Sequence, residues 1–128
     1  MKAILLTIIL SFITSLVKSQ DVNVEVLKKD PDLVAYRKIG TTIKEQMQSK
    51  YITFPPNMKN LQSTIMQSSS VDELKKTLKA NGMLHADEFV DEISTQKALM
   101  VKFNKNHPEL NNLDAKQKRN IFVKLISN

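Results

Sequence analysis

The side chains best suited to chemistry cluster between residues 85 and 92. His85 is followed by Asp87, Glu88, Asp91 and Glu92, a set of hard oxygen donors with one imidazole beside them. A spacing of four is one helical turn, so on a helix Asp87 stands over Asp91 and Glu88 over Glu92, giving two carboxylate pairs on adjacent lines. Such oxygens suit a cation like calcium, which takes about six to eight of them, most readily from a curved loop. A straight helix supplies too few. The sequence therefore assigns no metal site and leaves open whether this group binds a cation. Acids in a first helical turn already have a structural reason, because they face the positive end of the helix dipole.

Other routes to catalysis are sparse. The chain has no cysteine, so a thiol nucleophile and a thiolate metal site are both excluded. Its two glycines, Gly40 and Gly82, open no phosphate-cradling loop. His85 and His107 are 22 residues apart, and neither an HExxH nor a GxSxG pattern is present. No catalytic residue, no cofactor and no metal ligand is assigned, and the chain is expected not to be an enzyme.

The stretch "LDAKQKRNIFVKL" carries the one candidate contact. Lys116, Lys118 and Arg119 crowd the first turns of a helix, where the dipole disfavours cations by a few tenths of a kcal/mol each. At about 100° per residue, Lys118 also falls on the line of Ile121, Phe122 and Leu125. It must snorkel at the rim of the core or meet an anionic partner. These three cations are the candidate contact to another protein or an anionic surface.

Within the same stretch, Leu113, Asp114 and Gln117 resemble the LTxxQ helix start of small periplasmic helical chaperones of the Spy family. Aspartate stands where that motif has threonine, and the second copy is missing. The resemblance implies a cradle for unfolded chains. A capping box, with Asp114 and Gln117 closing the first turn reciprocally, accounts for the same residues.

The elements that position these groups read as helices. Val22, Val24 and Val26 alternate like a strand, but no second segment alternates to pair with them, so residues 20–30 form an arm or a short helical lead-in. Asp30-Pro31 starts a helix carrying the stripe Leu33, Tyr36, Ile39, Ile43 and Met47. Gly40 inside that stripe points to a close crossing by another helix. "YITFPPN" ends it, with Tyr51, Ile52 and Phe54 expected to fold back over the helix ends. Met58, Leu61 and Ile65 mark a short second helix.

Ser70 and Glu73 form a capping box for a third helix with Val71, Leu74 and Leu78, and Asn81-Gly82 stops it. A long fourth helix runs from about Ala86 to Lys105, with Ala86, Phe89, Val90, Ile93, Met100 and Phe103 on one face. His107-Pro108 breaks it. The fifth helix follows Asp114, with Ile121, Phe122, Leu125 and Ile126 as its apolar stripe. The methionines Met47, Met58, Met66, Met83 and Met100 suit irregular core filling. The expected fold is all-α, a small bundle of four to five helices joined by short turns, with residues 31–128 as a single α-helical domain.

Composition bounds the compartment. Lys2 is followed by fifteen uncharged residues, Ala3 to Val17, and then Lys18. Spanning a bilayer takes about 20 apolar residues, whereas a signal-peptide core needs only about 7–15. Val17 and Ser19 sit at the −3 and −1 positions of a cut before Gln20. Residues 1–19 thus read as a cleaved signal peptide, and the product as an exported protein, periplasmic or secreted, with no transmembrane segment after cleavage.

The remaining 109 residues carry 17 basic and 13 acidic side chains, a net charge of +4. All but Arg37 and Arg119 of those cations are lysine. Bidentate phosphate recognition favours arginine, which argues against a specific nucleic-acid role. With no disulfide to close loops, an exported chain of this size must stand on packing alone. The function expected from all this is that of a non-catalytic helical interaction protein, or alternatively a chaperone-like or stress-response protein holding unfolded clients.

Overall fold

The computed structural model describes residues 22–127, apart from the side chains of residues 60–62, 64 and 65. The segment read as a signal peptide lies outside the described residues, as do Gln20 and Asp21. Among the described residues the fold is all-α, with no strand and one isolated antiparallel bridge between Thr53 and Leu84. Five helices of ten or more residues follow a single helical turn, α1 (Val24–Leu27). They are α2 (Pro31–Gln48), α3 (Met58–Gln67), α4 (Val71–Ala80), α5 (Ala86–Asn106) and α6 (Ala115–Ile126). A 3-10 helix, Pro108–Asn112, separates the last two.

The chain divides into two compact units, Pro31–Lys102 and residues 22–30 with 103–127. In the first, Ile52, Leu78, Met83, Ala86 and Val90 form a buried cluster, with Met58, Leu74 and Phe89 packed against it. Ile52 is the part of "YITFPPN" that folds inward, and Pro55 is buried with it, while Tyr51 and Phe54 stay at the surface. The Phe54 ring meets Phe89 edge-on at 5.3 Å. In the second unit, Leu27, Phe103, Leu110, Leu113 and Leu125 are buried, and α1 packs on α6. The valines of α1 make no ladder: Val26 is exposed and Leu27 takes the inward position.

Local chemistry accounts for the ends of these helices. Ser70 accepts a hydrogen bond from the Glu73 amide, and the Glu73 carboxylate accepts from the amide and hydroxyl of Ser69. Those bonds, the backbone amide first, hold the Glu73 carboxyl below the usual range. Gly82 ends α4 at φ +87°, in the left-handed region. At Gly40, where the sequence points to a close helix crossing, the only near neighbour among the described residues is a side-chain tip: a methyl group there would lie 3.2 Å from Nε2 of Gln96, which donates to the Tyr36 carbonyl. Of the five methionines expected to fill the core, Met83 is buried, Met58 and Met100 are half-buried, and Met47 and Met66 are exposed. Met66, on the last turn of α3, is 79% exposed.

Candidate functional site

The acidic group at the start of α5 keeps its two lines, but each line faces a different neighbour. On the first, Asp87 pairs with Lys79 and Asp91 with Lys75, the latter at 2.7 Å. The Asp91 hydrogen bond is the main reason the Lys75 ammonium titrates above its ordinary value. Together with Asp72 and Lys76, these groups line a charged hollow of about 480 Å³ on the surface.

On the second line, the Tyr51 hydroxyl lies 2.9 Å from both oxygens of Glu88, and Gln46 Nε2 donates to Glu92 at 3.0 Å. The Glu88 hydrogen bond pushes the Tyr51 phenol up from its usual range. The His85 ring stacks on Tyr51 at 3.7 Å, with Nδ1 at 3.5 Å from Glu88. His85 itself and Lys50, the residue before Tyr51, are both non-glycine residues at positive φ, +55° and +59°, a backbone region costly for L side chains.

The oxygens are therefore spent on lysines of α4 and on Tyr51 and Gln46, and they do not converge. Asp87 Oδ1, Glu92 Oε2 and Gln46 Oε1 are buried without a protein partner. Even so, among the described residues no group of three or more histidine or carboxylate side chains could hold a metal.

A second cluster, in the other unit, was not legible in the sequence. His107 Nε2 lies 2.7 Å from Asp30 Oδ2, and Nδ1 lies 3.1 Å from Glu109. The ring packs 4.6 Å from that of Phe103. Burial by itself lowers the His107 pKa, but the two carboxylates outweigh it and the net shift is upward. Asp30 and His107 are 77 residues apart, and no spacing rule joins them. The only hint is that each stands before a proline, where an element must begin or end.

Lys116, Lys118 and Arg119 are all exposed, and none forms an ion pair among the described residues. Asp114 and Gln117 close the capping box with bonds of 2.8 and 3.1 Å. Leu125 is buried, and Ile121 and Phe122 are half-buried. Lys118, two turns ahead of Leu125 on the same side, is in solvent. Ile126, expected on the apolar stripe, is exposed, as is Val123. The helical repeat puts both beside Arg119, away from Leu125.

One further hollow, of about 460 Å³, lies among Met66, Val71, Leu74 and Ile93. Ser94 and Lys97 also border it, at the spacing of an S-x-x-K nucleophile pair. Neither companion motif of that chemistry, SDN or KTG, occurs in the chain. No hydrogen bond joins Ser94 to Lys97 among the described residues. Across all the described residues, no helix is long and apolar enough to cross a membrane.

Comparison with protein families, with curated proteins and with solved structures finds no match for this chain.

Proposed function

We propose that this chain is an exported, non-catalytic helical interaction protein that meets its partner through α6. The observation that carries the reading is a contrast in how charge is used. The groups suited to chemistry are engaged inside the protein: Asp87 with Lys79, Asp91 with Lys75, Glu88 with Tyr51, Glu92 with Gln46, and His107 with Asp30 and Glu109. The cations of α6 are in solvent and unpaired among the described residues, at a helix end where the dipole disfavours them. Export rests on the short uncharged run after Lys2 and the small residues before Gln20.

The test is intact-mass analysis of the protein recovered from fractionated host cells. A species beginning at Gln20 in the periplasmic or culture fraction supports the proposal, and a chain retaining Met1–Ser19 in the cytoplasm defeats it.

A second reading, a holdase for unfolded chains, draws on the hollow where Met66, Val71, Leu74 and Ile93 meet a rim of serines and Lys97. Aggregation suppression with unrelated clients separates the two. Protection at near-stoichiometric ratios, lost in Met66→Ser with Ile93→Ser, favours the holdase, and its absence favours the interaction protein.

A further inference from the structure

We propose that α6 docks this protein onto an anionic lipid surface, with its outward half lying in the headgroup layer. This rests on the reading of α6 as the contact helix and adds the chemistry of what it touches.

Residues 115–127 contain Lys116, Lys118, Arg119 and Lys124 and no carboxylate. The nearest acid, Asp114, is held in the capping box. The helices beginning at Pro31, Val71 and Ala86 carry acids in their first turns, whereas α3 and α6 carry none and have lysine there instead, Lys59 in α3 and Lys116 with Lys118 in α6. At about 100° per residue, Lys116, Arg119, Val123, Lys124 and Ile126 all fall on the half of the helix turned away from buried Leu125. Val123 is 51% and Ile126 43% exposed. The outward half is thus basic with two aliphatic side chains set among the cations, so its charge is complementary to an anionic surface while Val123 and Ile126 can reach into the headgroup layer.

The same surface fits other macromolecules less well. A protein hot spot is built on a large anchor such as tryptophan or tyrosine in a desolvated pocket, and the exposed half of α6 has no aromatic residue. Nucleic-acid contact calls for arginine forks or stacking rings, and here there is one arginine among three lysines. A fluid layer of anionic headgroups needs no fixed pairing geometry and takes lysine point charges wherever they stand. Each cation near such a surface raises partitioning roughly fivefold, and the three on the outward half together raise it about a hundredfold. Two aliphatic side chains add too little to bind neutral lipid by themselves, so the docking should depend on lipid charge.

The experiment measures partitioning of the full chain onto vesicles of phosphatidylcholine alone and of phosphatidylcholine with about one-third phosphatidylglycerol. The ratio between the two is compared across variants, so residues 1–21 contribute equally to every ratio. Replacing Lys116, Arg119 and Lys124 by glutamine should lower the ratio about a hundredfold with an unchanged circular-dichroism spectrum. The same charge change at Lys38, Lys44 and Lys76 should move it no more than about threefold. Val123→Ser with Ile126→Ser should weaken binding to the anionic vesicles about tenfold.

An unchanged ratio in the α6 variant, an equal fall in the control, or an unaffected serine variant would overturn the proposal. So would a wild-type chain that ignores lipid charge but binds an acidic protein through Arg119. Cytoplasmic retention would defeat export without altering the vesicle ratio, so the two readings fail separately.

Discussion

Cutting Phe103 back to alanine removes a ring that is 2% exposed and packed against His107. The loss should be about 3–5 kcal/mol, a large part of a small domain's stability, and chemical denaturation would read it directly. Phe89→Ala should cost less, because Phe89 is only half-buried beside its cluster. Equal losses would contradict that ordering. His107 gives the other prediction at this scale. Its folded-state pKa is raised, so the tie to Asp30 and Glu109 stabilises fully below the unfolded value of about 6.5. That stabilisation is lost as pH climbs through the folded value. In melting curves between pH 5.5 and 8.5, the advantage of wild type over His107→Gln should shrink above pH 6.5. A difference that stays flat with pH would exclude the tie. The periodicity of α5 predicts a buried Phe103, since one turn of spacing is all it requires. The partner of His107 is set by tertiary folding over 77 residues, and no local pattern carries that information.

The helices themselves were legible because their ends are written in local chemistry. Asp30-Pro31, Ser70 with Glu73, Asn81-Gly82, His107-Pro108 and Asp114 with Gln117 each mark a boundary that the structure keeps within a residue or two. What the pattern missed is how deeply each apolar residue sits. Met66 and Ile126 lie on helices of the expected span yet in solvent, because burial depends on what lies opposite and not on the helix alone. The two glycines test this level. Gly82→Ala places a side chain at φ +87° with open space around it, so the cost is backbone strain alone, about 1–2 kcal/mol of stability. Gly40→Ala should come out within about 1 kcal/mol of neutral. The gain in helix propensity is offset by displacing Gln96 from the Tyr36 carbonyl. Thermal melts of the two variants should rank Gly82→Ala as the less stable.

For the whole molecule, the sequence carries the sum of charges but not their pairing. Residues 20–128 have a net charge of +4, and the segment after Asp114 alone carries four cations and no acid. The rest of the chain is therefore balanced, and part of that balance is the ion pairs Lys75–Asp91, Lys79–Asp87 and Lys102–Asp32. At least one partner in each pair is well exposed, so each should contribute no more than about 1 kcal/mol. Lys75→Met with Lys79→Met should lower stability by less than about 2 kcal/mol, and a larger loss in urea titration would show that α4 is held by charge instead of by Leu74 and Leu78. The four carboxylates on α5 looked like one site because they are close in sequence. Their helix turns two of them to α4 and two to Tyr51 and Gln46, and only the folded chain shows that division.

The bridge between Thr53 and Leu84 has a consequence for proteases. By composition the connector 49–57 resembles an open cleavage loop, with Lys50 exposed for trypsin. Ile52 and Pro55 are anchored beneath the surface, so the connector cannot thread an enzyme cleft until it lifts away. Nicking after Lys50 should track urea-driven opening step for step, and a cut made at the same speed without urea would mean the connector hangs loose.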